Sequence, residues 1–389
     1  MTCRKFALAL IVAAIGLIGF AYTTGTTSAS SKKEVTFSKD VAPIFFKNCA
    51  QCHKPNDIGP MSLMTFKEAR PWARSIKEKV VTREMPPWSA DPKHGEFSND
   101  ARLSQKDIDT IAAWVDGGAK EGNPKDMPPV PAFASGGWEI GTPDVVFSMA
   151  EEHTVDLNAP DNYLNFYMPT NFKEDKWIQA AEIKPGNKKV VHHVIAFIIT
   201  PEAQARMKEA GGRRRGGENR PSIFYKDGTL MRVKADAPVV DDACNAPKGA
   251  GGGDGEGGAG TLLAGFAPGK PVDIWAPGMA KKVPAGSTIM FQMHYSAFRG
   301  SLDKPEKDRT SIGLKFAKEA PDKVITTLGV MNSLFKIPAG ADNHEVKACF
   351  TFNQPVQVID YMPHMHLRGK SMKYDLIYPD GKQETLLWV

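Results

Sequence analysis

Apolar residues follow two different spacings along the chain. Between residues 34 and 128 the spacing is three or four, as at Ile108, Ile111 and Val115, which is typical of one buried face of a helix. Ser104 precedes that run and is the expected N-cap, because its hydroxyl can accept a free N–H of the first turn. The pattern predicts a small all-α domain at residues 34–128.

The first helix of this domain is expected to open near Phe37, with Ser38 as its N-cap, and to run up to Cys49. A proline-rich stretch at residues 127–131 marks the end of the helical region, because proline interrupts both helices and strands. We assign residues 129–139 to a Pro/Gly-rich linker.

Short apolar runs separated by proline and glycine replace the helical spacing after the linker. Residues 144–147, 190–197 and 288–295 are three such runs, and their spacing predicts strands of a β-sandwich. We therefore predict a first all-β, jelly-roll-like sandwich at residues 140–318. The chain is expected to be multidomain, with the small all-α domain followed by all-β domains.

Residues 319–389 show the same pattern, in which short apolar runs that predict strands are separated by proline and glycine. The stretch from Tyr374 to Val389 predicts a hairpin, with its turn at residues 379–382. A segment of about 70 residues is short for an independent sandwich. We therefore expect residues 319–389 to be a second β-sandwich that is incomplete, with its C-terminal part missing.

Residues 1–30 have the features of a secretory signal peptide. Arg4 and Lys5 supply positive charge before an uncharged apolar run at residues 6–20. Small side chains at residues 28–30 could form the cleavage site. An uncleaved anchor helix, which would be the chain's membrane contact, is the alternative. An exported protein is expected in the periplasm or the extracellular space, where conditions are oxidising.

Composition narrows the class of protein further. The chain has 389 residues, of which 42% are hydrophobic and 24% charged, as in globular proteins. Its formal net charge of +5 is mild, and no dense Lys/Arg stripe with interleaved aromatic residues is present. Nucleic acid is therefore not an expected partner. The sequence also lacks a P-loop and a Rossmann glycine pattern, which argues against a nucleotide-dependent enzyme.

The five cysteines divide into three groups. Cys3 would leave with the signal peptide, and Cys49 and Cys52 belong to a motif described next. Cys244 and Cys349 remain, and in an oxidising compartment they could form one disulfide. Two unpaired thiols, or partners outside this chain, are the alternatives.

Cys49, Cys52 and His53 form a Cys-x-x-Cys-His motif, which is specific for covalent attachment of c-type haem. Both thiols add to the porphyrin vinyl groups, and the adjacent histidine becomes the proximal iron ligand. A thioredoxin-like Cys-x-x-Cys is the alternative, but no βαβ pattern surrounds this one. We predict one haem c.

Met85 is the expected second axial ligand of the haem iron. It precedes Pro86 and Pro87, which stiffen its loop, whereas Met61 and Met64 are the rival candidates. His/Met ligation would raise the reduction potential of the iron. With these motifs, residues 34–125 resemble a class I cytochrome c.

Five histidines occupy positions in the sequence that are compatible with metal binding. His364 and His366 are two residues apart, so on a strand both side chains point to one face and could bind a copper or zinc ion. His192 and His193 are neighbours, which on a regular strand face opposite ways. They can share a metal with His294 if the backbone bulges there or if different ring nitrogens are used.

Residues 140–389 resemble the copper type II, ascorbate-dependent monooxygenases, the family of peptidylglycine α-hydroxylating and dopamine β-monooxygenases. The family folds as two β-sandwich domains that face each other across a cleft. The resemblance implies two coppers, whose ligands in this chain are His192, His193 and His294 for the electron-transfer copper, and His364 and His366 for the oxygen-activating copper. The family completes the second site with a methionine further along the chain, and we leave that third ligand unassigned.

The combined motifs suggest an exported oxidoreductase in which the haem takes electrons from an external donor. The electrons would pass to the first copper and then to the second, with His364 and His366 as catalytic ligands. There O₂ would hydroxylate a C–H bond of an organic substrate that the sequence does not identify. The alternative is an electron-transfer or copper-binding protein of the cell envelope that has no oxygenase activity.

Overall fold

The computed structural model covers most of the chain in twelve stretches. The described residues are 34–55, 57–131, 137–155, 161–211, 225–226, 229–230, 239–244, 261–270, 272–296, 304–332, 335–365 and 368–389. The expected signal peptide, the middle of the expected linker and His366 lie outside these ranges.

Helices occupy the N-terminal third, with one more after residue 200. They are α1 (Ala42–Asn48), α2 (Phe66–Ala69), α3 (Ala73–Val81), α4 (Gln105–Asp116) and α5 (Pro201–Gly211), with a π-helical turn at Phe37–Val41 and 3₁₀ turns at Arg70–Trp72 and Pro124–Asp126. Among the described residues, no helix has both the length and the apolar character needed to cross a membrane.

The helices enclose a core of their own. Phe37, Phe45 and Trp114 are fully buried in it and meet edge to face or tilted, with ring centroids 5.8–6.3 Å apart. The predicted cap of α4 is confirmed, because the Ser104 side chain accepts a hydrogen bond from the N–H of Asp107 at 3.1 Å.

The predicted cap at the first helical turn is wrong. The turn begins at Phe37, and Thr36 is the N-cap residue. The Asp40 carboxylate accepts the N–H of Thr36 at 2.9 Å, while Ser38 is 1% exposed and its hydroxyl has no partner among the described residues. Burial of Phe37 against the core draws the start of the helix two residues earlier than the hydroxyl pattern suggested.

Strands dominate the remainder of the described chain. They are β1 (Val145–Ser148), β2 (His153–Thr154), β3 (Asp161–Pro169), β4 (Lys176–Lys184), β5 (Val191–Ile199), β6 (Tyr225–Lys226), β7 (Thr229–Leu230), β8 (Thr261–Phe266), β9 (Asp273–Ile274), β10 (Met279–Val283), β11 (Thr288–Ser296), β12 (Lys307–Asp308), β13 (Ser311–Phe316), β14 (Lys323–Val324), β15 (Lys373–Ile377) and β16 (Gln383–Trp388).

Two sheets pack on a second core. One has the order β1-β13-β4-β10-β14, with β9 also paired to β4, and the other has the order β3-β11-β5-β8. Ile178 and Leu314 from the first sheet share one buried cluster with Val194, Phe291 and Leu263 from the second. The expectation of a β-rich fold is confirmed for this part of the chain, and the shared core of the two sheets is consistent with a β-sandwich.

Residues 319–389 form less regular structure. The short strand β14 pairs in parallel with β10 of the larger sheet. The predicted hairpin is present as β15 and β16, with the turn glycine Gly381 at φ +84°. The described residues between β14 and β15 lie in neither a helix nor a strand. A second sandwich in this region remains a prediction.

Candidate metal centre and haem-attachment site

A bulge in β5 brings two adjacent histidines to one face of the sheet. In the pairing of β5 with β11, His193 lies opposite His294 and Val191 lies opposite Tyr295, so His192 is the extra residue. Regular alternation from Val194 would place His192 in the core. The bulge instead keeps Val191 buried and turns both imidazoles outward, as a shared metal site requires.

The three rings converge on a single point. The Nδ1 atom of His192 lies 3.1 Å from that of His193 and 3.1 Å from that of His294. The Nδ1 atoms of His193 and His294 are 3.3 Å apart. A metal bonded to three nitrogens at about 2.0–2.1 Å requires them to be within about 3.6 Å of one another. The triangle meets that condition.

Hydrogen bonds alone do not explain this triangle. A neutral imidazole nitrogen is either an N–H donor or a lone-pair acceptor. Among three such nitrogens, at least two are of the same kind, so one edge of the triangle must be repulsive. A cation that accepts all three lone pairs removes the conflict. The three rings also form a group of side chains, among the described residues, that could together hold a metal ion.

The protonation state of His193 also suits a metal. Burial, together with the neighbouring imidazoles, of which His294 has the largest influence, lowers the pKa of His193 to about 4. His193 is therefore neutral at physiological pH, which is the form of imidazole that coordinates metals.

Tyr163 supports the centre from the neighbouring strand. It lies opposite His294 in the pairing of β3 with β11, and its ring stacks on the imidazole with centroids 4.1 Å apart and planes at 13°. The stacking restricts the orientation of His294. Nothing in the strand pattern singled out Tyr163, because the contact depends on which strands are neighbours.

A buried carboxylate anchors the strand end behind the centre. Asp308 is 1% exposed and accepts hydrogen bonds from the Tyr295 hydroxyl at 2.9 Å and the Thr310 hydroxyl at 2.8 Å. Its second oxygen accepts the N–H of Asn187 at 2.9 Å. Asp308 thus ties the end of β11 to the turn that leads into β5.

The second expected copper site is described in part. His364 lies close enough to His193 to contribute electrostatically to the lowered pKa of that ring. His366 lies outside the described residues, so the expected pair His364/His366 stays a prediction. Met365, between them, is 37% exposed.

The haem-attachment motif forms a tight turn after α1. The N–H groups of Cys52 and His53 both donate to the Cys49 carbonyl, at 3.1 and 2.9 Å. The His53 Nδ1 lies 3.1 Å from the Met61 carbonyl oxygen, which orients the ring and leaves its Nε2 available to an iron. A side chain at Gly59 would meet the His53 ring at 2.6 Å, so that position admits glycine alone.

The two cysteine side chains of the motif are half-buried. Neither Cys49 nor Cys52 is bridged. Burial, with a smaller contribution from Cys52, raises the pKa of Cys49 to about 12. Burial also raises the pKa of Cys52. Free thiols beside a preoriented histidine fit covalent haem attachment.

Met85 lies beside a cavity of about 770 Å³ that Trp88, Leu103 and Trp388 also line. The indole Nε1 of Trp88 is buried and has no partner among the described residues, which suits an acceptor group of a bound cofactor. Cys49, Cys52 and His53 do not line this cavity. The role of Met85 as axial ligand stays a prediction.

Cys244 and Cys349 form a disulfide, with Cα atoms 5.0 Å apart. The backbone pairs next to it, since the N–H of Lys347 donates to the Asp241 carbonyl at 2.7 Å and the N–H of Ala243 donates to the Lys347 carbonyl at 3.1 Å. The bridge closes a separation of 105 residues.

No protein-family model matches the chain, and no curated protein matches it at a significant level.

Proposed function

We propose that the protein is an oxidoreductase that carries one haem c and copper, and that it hydroxylates a C–H bond with O₂. The convergence of His192, His193 and His294 through their Nδ1 atoms carries this proposal. An exported, periplasmic or extracellular location is part of the proposal, and the disulfide between Cys244 and Cys349 is typical of such compartments.

Copper is favoured over zinc because the same chain also carries a haem-attachment motif. Three imidazoles suit either ion, but zinc has no redox chemistry. The same chain carries a Cys-x-x-Cys-His motif whose histidine is already oriented by a hydrogen bond to the Met61 carbonyl. A one-electron carrier can exchange electrons with the three-histidine centre only if the metal there also changes oxidation state.

The residues of the chain would hold and orient these groups. Cys49 and Cys52 would anchor the haem, and His53 would ligate it on one side. When bound, the haem would supply one-electron storage, and copper would supply one-electron transfer and activation of O₂. The stacked ring of Tyr163 keeps His294 in its ligating orientation. The neutral state of His193 keeps its lone pair free for a metal.

His364 and His366 are the proposed ligands of the oxygen-activating copper. The nearness of His364 to His193 supports a second centre in the vicinity of the first. The third ligand of this centre is unassigned. The organic substrate and the external electron donor are not specified by the described residues.

Metal content and reoxidation kinetics test the proposal together. We expect about one iron and two coppers per chain. Haem reduced under argon and then mixed with O₂ should reoxidise rapidly in copper-loaded protein and slowly in copper-free protein. Equal reoxidation rates in the two preparations would remove the copper from the electron path. Hydroxylated product that appears in proportion to O₂ consumed would establish the oxygenase step.

A haem- and copper-containing electron-transfer or copper-binding protein is the second candidate. It is favoured by one observation, which is that the metal-binding group assembled by the described residues is the three-histidine centre, and such a centre suits one-electron transfer on its own. Copper-dependent reoxidation of the haem without any hydroxylated product would favour this candidate.

A further inference from the structure

An ion pair joins the loop after the haem-attachment motif to the turn before the three-histidine centre. The ammonium group of Lys188 lies 2.7 Å from the carboxylate of Asp57. Asp57 belongs to the helical part of the chain and its side chain is 9% exposed, whereas Lys188 belongs to the β-rich part and its side chain is 37% exposed. The contact therefore links the two parts and is half-shielded from water.

The loop that carries Asp57 is held to the motif by its backbone. The N–H of Gly59 donates to the Cys52 carbonyl at 2.9 Å, and the N–H of Leu63 donates to the His53 carbonyl at 2.9 Å. Lys54 adds a second, local ion pair to Asp57 at 3.2 Å. A displacement of Asp57 is consequently passed on to Cys52 and His53.

The turn that carries Lys188 is equally well held to the histidine cluster. The N–H of Asn187 donates to the buried Asp308, and the Asn187 carbonyl accepts the N–H of Val191 at 3.1 Å. His192 follows Val191 directly. Lys188 thus sits on a fixed turn, four residues before the first ligand of the centre.

A second observation places the ion pair beside the haem-attachment motif itself. Lys54 follows His53 directly, and its ammonium group shares the Asp57 carboxylate with Lys188. The same ammonium group donates to the carbonyl of Gln51, inside the motif, at 2.6 Å. The Asp57–Lys188 contact therefore lies next to the motif.

We propose that the Asp57–Lys188 ion pair is a docking contact that holds the haem-attachment loop against the His192 end of β5 and so positions electron transfer between the two sites. The inference rests on the proposed function. In that transfer, one electron would pass from ferrous haem iron, held by Cys49, Cys52 and His53, to Cu(II) held by the three histidines, which would give ferric iron and Cu(I) with no bond made or broken in the chain. Lys188 is a positioning residue, since it would touch neither metal group.

Zero-length crosslinking tests the contact without any metal activity. A carbodiimide joins a carboxylate to an amine as an amide when the two are in ion-pair contact, and the reagent takes up the water that is lost. In copper-free full-length protein we expect a peptide in which Asp57 is joined to Lys188, detected by mass spectrometry. Lys189, an exposed neighbour, should give no such product with Asp57. Absence of the Asp57–Lys188 product would overturn the docking contact.

Rates of haem reoxidation by bound Cu(II) test its role. Substitution Lys188→Glu places two negative charges together, and we expect the rate to fall about tenfold or more, which corresponds to about 1.4 kcal/mol. Lys189→Glu changes the net charge equally and should leave the rate unchanged. Lys188→Arg keeps a positive charge beside Asp57 and should retain most of the parent rate. Copper affinity should remain that of the parent in all three variants, and each rate is compared at the haem reduction potential measured for that protein.

The outcomes separate the two proposals. Equal rates in the Lys188→Glu and Lys189→Glu proteins, or a Lys188→Arg rate as slow as that of Lys188→Glu, would overturn the docking role while copper-dependent reoxidation still stands. Reoxidation that is independent of copper in the parent protein would overturn the proposed function and, with it, this inference.

Discussion

His294 makes three contacts through one imidazole ring. Its Nδ1 approaches two other histidine nitrogens at 3.1 and 3.3 Å, and its face stacks on Tyr163. The side chain is 7% exposed, so water cannot relieve the crowding of lone pairs. At the scale of the residue, the three histidine nitrogens are arranged as the ligands of one metal ion would be.

Substitution of one ligand should abolish tight copper binding at the three-histidine centre. Changes to residues that merely support a metal ligand typically weaken binding 10–100-fold, so loss of the ligand itself in His294→Ala should cost more than about 100-fold. Competition titration with a copper chelator measures this. His344→Ala is the matched control, because His344 pairs with Asp241 at 3.1 Å and is not part of the cluster. Equal copper affinity in the two variants would contradict the assignment.

Lys281 is a buried cation whose charge should make stability depend on pH. It is 4% exposed and donates to the carbonyls of Leu262 and Leu263, both at 3.0 Å. Burial, reinforced by Lys270, lowers its pKa to about 8. Between this value and the ordinary value of 10.5, the unfolded chain binds more protons than the folded one, so stability rises with pH in that window.

The change Lys281→Met removes this titration while keeping a side chain of similar length. From pH 7 to pH 11 the free energy of unfolding of the parent should rise relative to the variant by about 3 kcal/mol at most. Denaturant unfolding at both pH values measures the difference. A difference between the two proteins that is constant with pH would show that Lys281 titrates normally.

A single extra residue in β5 determines the centre at the scale of the element. The pairing partners of Val191 and His193 on β11 are consecutive, so His192 is accommodated as a bulge. The buried face of the strand is unaffected, since Val191 and Val194 both remain in the core. The bulge changes the direction of one imidazole without a loss of packing.

Deletion of His192 should therefore convert β5 into a regular strand. Val191 would remain inward and His193 outward, as the alternation requires. We expect copper affinity to fall as far as in His192→Ala, while the midpoint of thermal unfolding stays within about 5 °C of that variant, because only one unpaired residue is lost. A deletion variant that retained tight copper binding would show that the bulge is not what brings the three histidines together.

At the scale of the whole molecule, the described residues contain two large buried clusters and one disulfide between distant cysteines. The helices bury one cluster and the sheets bury another. The C-terminal hairpin returns to the helical part, where the N–H of Asp91 donates to the Trp388 carbonyl at 2.7 Å. The Asp57–Lys188 ion pair is a second link between the helical and β-rich parts.

The disulfide should contribute substantially to the stability of the β-rich part. Because it closes a separation of 105 residues, removal of both cysteines in C244S/C349S should lower the free energy of unfolding by about 2–4 kcal/mol. Denaturant unfolding with and without a reductant measures this. The reductant should destabilise the parent protein and leave the double variant unchanged. A parent protein that is insensitive to reductant, with its bridge shown to be reduced, would contradict the expectation.

The sequence by itself was enough for features that depend on near neighbours along the chain. The helix capped by Ser104, the strands that carry the histidines and the hairpin near residue 381 follow from local spacing and turn chemistry. The Cys-x-x-Cys-His turn is likewise local. The cap at Ser38 was predicted wrongly because burial of Phe37 against distant aromatic rings outweighed a local hydroxyl preference.

Tertiary structure alone decided which distant groups meet. His192 and His294 are 102 residues apart, and their contact depends on strand order and on the bulge in β5. The sequence indicated that a shared metal site would need such a bulge, but the spacing of residues does not show that the bulge forms. The stacking of Tyr163 and the pairing of Asp57 with Lys188 arise in the same way. Such contacts form when two cores bury their apolar residues, and burial of that kind is a property of the folded chain and not of any short stretch of it.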